Sequence, residues 1–211
     1  GSFVLDMDGV RWAIDLVAQS YHSLESKGLD LWNKSQDSER WTVFRLNNFS
    51  HNTLVVDGQH QRVKGHAPIV AFSGETDNPF TVVDISPAYD GQLAAAKRGL
   101  RLAGEAVLIQ DEVEAMDRET AVRWGMATRA EVEADGNRAV LRQDGKTAVL
   151  QVLAPAGAEL AVIDMEDPPH DFDARNPDTR MVAFEAGIAA AGKATLRVVI
   201  APADFEGEIP P

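Results

Sequence analysis

Apolar and polar positions alternate along this chain in short runs, the period of extended strands. In Val10 to Asp15, Val10, Trp12 and Ile14 share one side and Arg11, Ala13 and Asp15 the other. Ser2 to Met7 and Val10 to Asp15 read as the arms of a hairpin about Asp8-Gly9. Ala130 to Ala134, Arg138 to Gln143 and Thr147 to Leu153 read as a meander turned at Asp135-Gly136 and Asp144-Gly145. A further hairpin joins Arg98 to Leu102 and Val107 to Asp111 through Ala103-Gly104. Thr81 to Ile85, Leu160 to Ile163, Arg180 to Ala186 and Ala194 to Ile200 add strands. Asp-Gly recurs at Asp57-Gly58 and Asp90-Gly91, and such pairs suit type I′ loops, whose two central residues need positive φ. Leu93 to Lys97 is too short and too poorly capped for a helix, so it reads as strand or loop. The pattern predicts an all-β fold, an antiparallel two-layer β-sandwich with little helix.

One strand brings chemistry with it. His51-Asn52-Thr53-Leu54-Val55-Val56 runs into the Asp57-Gly58 turn, and parity puts Asn52, Leu54 and Val56 on its apolar side. His51 projects from the other side, as Asp15 does at the end of its own strand. If those strand ends meet, an imidazole and a carboxylate make half of a transition-metal site, a donor set that suits zinc. Taken alone, the two residues also read as ordinary solvated groups. Arg40 to Arg45 reads as extended, with Trp41, Val43 and Arg45 on one face and Trp41 in the core. Its rings and guanidinium groups suit sugar stacking and carboxylate binding. Tyr21 (beside His22), Arg40, Arg45 and Gln61 are the candidate substrate contacts. His60 or His66 could complete a metal site, Asp111-Glu112 with Glu114 reads as a solvated strand end, and His170 as plain loop.

Composition narrows the classes. At 211 residues the chain suits one domain, expected over 1–205, with 206–211 as a tail containing the Ile209-Pro210-Pro211 loop. A formal charge of −13 argues against nucleic acid and anionic membranes as partners, since counterion release needs a basic surface. An anionic ligand gripped by a local cluster is still allowed. With no cysteine, thiolate metal sites, disulfides and iron–sulfur clusters are excluded. No run is apolar and long enough to span a membrane, and no leader is visible. The chain opens in strand-like alternation, so it reads as a piece of something longer.

The order GSFVLDMDGVRWAID, SERWTVFRLNNFSHNTLVVDGQHQ, KRGLRLAGEAVLIQDEV resembles the β-sandwich of the heparinase II/III-like polysaccharide lyases over most of Gly1 to Ala201. The His-Asn-Thr-Leu-Val-Val-Asp-Gly run is its most specific part. The resemblance implies that Asp15 and His51 match metal ligands and that Zn is the cofactor. It also implies that a further histidine ligand and the catalytic residues lie upstream of Gly1, leaving none within the chain. An N-terminal α/α-toroid domain is the implied partner, and an acidic, uronic-acid-containing polysaccharide the substrate, cleaved by β-elimination. The location implied is periplasmic or secreted, and the isolated stretch is expected to be inactive. The alternative is a non-catalytic carbohydrate-binding or structural sandwich; a small metal-dependent hydrolase comes third.

Overall fold

A computed structural model describes residues 1–77 and 79–207. The expected Ile209-Pro210-Pro211 loop lies outside the described residues. The strands are β1 (Leu5–Met7), β2 (Val10–Ala13), β3 (Leu54–Val56), β4 (Ile69–Ser73), β5 (Phe80–Asp84), β6 (Leu93–Ala103) and β7 (Ala106–Ala115). They continue as β8 (Thr120–Thr128), β9 (Glu131–Asp135), β10 (Arg138–Gln143), β11 (Lys146–Ala154), β12 (Ala161–Asp164), β13 (Arg180–Ile188) and β14 (Lys193–Pro202). A short helix, α1 (Tyr21–Glu25), follows β2. One sheet has the order β4-β5-β6-β7-β14-β11-β10-β9, the other β12-β13-β8-β3, and β1-β2 is a separate ribbon. All pairings are antiparallel, and the two large sheets stack as the expected sandwich.

The core lies between the layers. Trp124 of β8 is enclosed there, its ring 5.8 Å from Phe184 of β13 and 6.2 Å from Phe3. Leu54, Ile109, Leu141, Leu150, Val198 and Ile200 fill the space around it. Each such buried side chain stabilises the fold by about 1.5–3 kcal/mol relative to exposure. A Cβ on Gly125 of β8 would sit 2.6 Å from the Met181 sulfur of β13, so a larger residue there needs that flexible side chain to move.

Turn chemistry follows the Asp-Gly expectation in part. Asp8-Gly9, Asp57-Gly58 and Asp144-Gly145 have both residues at positive φ, as type I′ requires. Asp135 instead pairs with Arg138 inside the ladder, moving that loop to Gly136-Asn137. Asp90, at φ −53° and ψ 128° before Gly91 at φ 72°, makes a type II turn.

Other boundaries shift. β1 begins at Leu5, β2 ends at Ala13, and Leu93 to Lys97 belongs to β6. β4 and β8 have no counterpart among the expected strands. Tyr21-His22 opens a helix where a loop is expected. Arg40 to Arg45 is not extended but forms two 3-10 turns, Glu39–Thr42 and Phe44–Leu46. Side chains capture the backbone there. Ser38 Oγ accepts from Arg40 N–H, Asp173 accepts from Phe44 N–H, and Asn47 donates to the Trp41 and Val43 carbonyls. Val43 is therefore the buried residue, and Trp41 is only half-buried, its indole N–H on Ser35 O.

Candidate functional site

The end of β2 and the approach to β3 are laid side by side on β8. Beyond Ala13 the chain keeps a β8 contact, Ile14 N–H donating to Ala127 O at 2.9 Å. Asp15 then turns the chain. Its Oδ1 accepts from Val17 N–H at 3.1 Å, and Val17, a β-branched residue, is held at φ 35° in the left-handed region.

His51 stands between two anchored, buried polar residues. Ser50 Oγ donates to Phe44 O at 2.7 Å, and Asn52 is fully enclosed. The Asn52 amide donates to Phe3 O and to Ile14 O, both at 2.7 Å, while its Oδ1 accepts from Ala127 N–H at 2.6 Å. One side chain thus ties the backbone beside His51 to the backbone beside Asp15. Arg123 of β8 donates to Phe49 O at 2.9 Å and steadies the same loop; its Nε is buried without a partner, and burial lowers its pKa.

The result is a contact between His51 Nδ1 and Asp15 Oδ2 at 2.9 Å, with side chains 24% and 33% exposed. Both remain reachable from solvent. In the neutral tautomer that carries its proton on Nδ1, that N–H donates to Asp15 and Nε2 keeps a lone pair. Imidazole and carboxylate are both donor types that zinc takes, and this contact supplies two of the four that a tetrahedral site needs. Among the described residues, no third His, Cys, Asp or Glu joins the pair. His60 packs instead against the Phe49 ring at 4.7 Å, and burial holds its pKa below the ordinary value.

The other expected contacts are occupied internally. Tyr21 and Arg40 do meet, at 2.8 Å, but Arg40 also binds Leu31 O and lies over the Tyr21 and Trp41 rings. Arg45 donates to Asn176 Oδ1 and Arg175 O; burial and neighbouring Arg129 lower its pKa, against Asp173. Gln61 donates to the Tyr89 hydroxyl at 2.8 Å, which in turn donates to Leu54 O. Asp111 corrects the solvated reading given to its strand end. It is wholly buried, paired with Arg98 at 2.7 and 2.8 Å. Arg98 also donates to Asn52 O at 2.7 Å, so this pair stands directly behind the His51 loop.

The described elements contain no helix long and apolar enough to cross a membrane. The family model described as heparinase II/III-like, C-terminal, matches residues 1–195. A heparinase III crystal structure superposes with a TM-score of 0.73 at 18% identity, covering 99% of this chain and 30% of that one. The heparan sulfate lyase HepC from Pedobacter heparinus gives 0.69 at 16% identity, covering 99% of this chain and 31% of its own. At these identities the likeness is one of fold. The chain spans under a third of the length of both structures. No curated protein matches it in sequence.

Proposed function

Because the chain belongs to the heparinase II/III-like C-terminal family, we propose that it is the sandwich part of a polysaccharide lyase that cleaves an acidic, uronic-acid-containing glycan by β-elimination. The observation that carries this reading is the 2.9 Å contact of His51 with Asp15 at a solvent-reachable turn. Elimination needs a base at C5, neutralisation of the uronate carboxylate, and a proton for the leaving oxygen. No water is consumed. Asp15 and His51 would hold zinc, which when bound would supply positive charge at this turn and orient its two ligands. Asn52, Ser50 and Arg123 keep the two donors in register.

The base, the acid and the remaining histidine ligand are assigned to the length of the relatives that this chain does not span: the ligand just upstream of Gly1, the base and acid in an α/α-toroid domain in our reading. An acidic polysaccharide of this kind is met outside the cytoplasm, so in this reading the whole protein is periplasmic or secreted. The alternative, a non-catalytic sandwich, draws support from the internal hydrogen bonds that occupy Arg40 and Tyr21.

The test is made on the full-length gene product with heparan-type and alginate-type uronans, following the ultraviolet absorbance of the unsaturated product. Turnover should fall at least tenfold, together with zinc content, in Asp15→Ala and His51→Ala. The 211-residue chain alone should be inactive. Full activity and full zinc content in both variants would remove the metal role; absence of elimination by the full-length protein would favour the non-catalytic module.

A further inference from the structure

The eight-stranded sheet extends beyond the four-stranded layer on the β4 side. β4 is the terminal strand and is hydrogen-bonded to β5 alone among the described strands. Its side chains are open to solvent: Ile69 is 64% exposed, Val70 52% and Phe72 76%. Phe72 lies opposite Thr81, Thr81 opposite Leu100, and Leu100 opposite the core residue Ile109. Phe72 therefore stands on the inward side of its sheet, yet among the described residues little covers it. A shallow apolar groove of about 310 Å³, lined by Val4, Pro79, Phe80, Leu100 and Leu102, continues the open surface.

Soluble proteins blunt such edges with lysine, proline, inward charges or β-bulges, because an open strand templates pairing. Ile69-Val70-Ala71-Phe72-Ser73 contains no charge and no proline. A register shift between Ile69 and Ala71 is its sole irregularity against β5. Charge is confined to the flanks: Lys64 and His66 precede the strand, and Glu75 and Asp77 follow it. When two copies run antiparallel about Ala71, the basic flank of each meets the acidic flank of the other. A chain with formal charge −13 otherwise repels its copies, so the local match sets both orientation and register.

We propose that β4 pairs with β4 of a second copy across a two-fold axis, joining the two large sheets edge to edge. The contact is isologous, and the unfilled hydrogen-bonding edge of each strand is met by its twin. The exposed Phe72 and Val70 supply the apolar contact beside the seam. The area is small for a permanent dimer, so association belongs in the micromolar range, roughly 1–100 µM.

Sedimentation equilibrium on the 211-residue chain tests this. The weight-average mass should climb from monomer towards dimer over that range, and amides of β4 should gain hydrogen-exchange protection as it does. Phe72→Lys and Val70→Lys, at exposed positions that leave the fold intact, should weaken association at least tenfold with unchanged circular dichroism. Lys64→Glu and Glu75→Lys should each weaken it, and the two combined should restore it. A chain that stays monomeric throughout overturns the proposal, as does association that Phe72→Lys leaves unchanged. So does protection of β4 that arises only in the full-length protein at monomer mass, which would assign this edge to another domain.

Discussion

Replacing Asn52 with alanine removes three hydrogen bonds from a place closed to solvent. The carbonyls of Phe3 and Ile14 and the N–H of Ala127 lose their partner together. At about 1–3 kcal/mol for each of the three buried groups left unsatisfied, the loss comes to roughly 3–9 kcal/mol, a large share of the 5–15 kcal/mol typical of a domain. Urea unfolding reads this directly. With a slope of about 2–3 kcal/mol per molar, the midpoint should fall by roughly 1–4.5 M. Asn52→Leu separates the polar term from the cavity, since leucine fills the volume and makes none of the bonds. It should lose nearly as much as alanine. A loss below about 1 kcal/mol in Asn52→Ala, or recovery in Asn52→Leu, would refute the view that this amide holds the His51 and Asp15 turns together.

Two further outcomes follow from buried and half-buried charge. Arg98→Ala strands the enclosed Asp111 carboxylate and should cost about 3–5 kcal/mol in urea unfolding, whereas Arg98→Met with Asp111→Leu should recover most of it; equal losses would contradict the pairing. His60 has its folded-state pKa lowered by burial, so its contribution is present above the unfolded value of about 6.5 and is lost as pH falls through the interval below it. The melting temperature should therefore drop more for the wild type than for His60→Gln between pH of about 7.5 and 5.5, and identical profiles would dismiss the buried imidazole.

How far the sequence could be read depended on whether an element's cause was local. The hairpin about Gly104 was legible from alternation and turn residues. Its register already sets Arg98 opposite Asp111, yet a charged pair amid β-strand alternation reads as surface until the second layer is seen to cover it. β8 shows no clean alternation in sequence because both its faces are buried from Trp124 to Thr128, and Arg123 and Gly125 break its apolar run. Arg40 to Arg45 looked extended by alternation, but its conformation is set by Ser38, Asn47 and the remote Asp173. His51 and Asp15 are part-exposed, but they lie beyond the ends of β3 and β2, so their accessibility comes from the turns they stand in and not from strand parity. Parity assigned Asn52 to the apolar side correctly but gave no hint of its bonds, whose partners come from three distant segments. Val55, expected on the polar side, is buried because loops cover that face too.

The most direct measurement is a zinc titration of the 211-residue chain followed by NMR of its five histidine rings. The ring of His51 should respond first and at the lowest zinc concentration, and Asp15→Asn should raise the concentration needed at least tenfold while leaving His22, His60, His66 and His170 unaffected. A response spread evenly over the five rings, or one at His51 that ignores Asp15→Asn, would contradict a shared metal site at this turn.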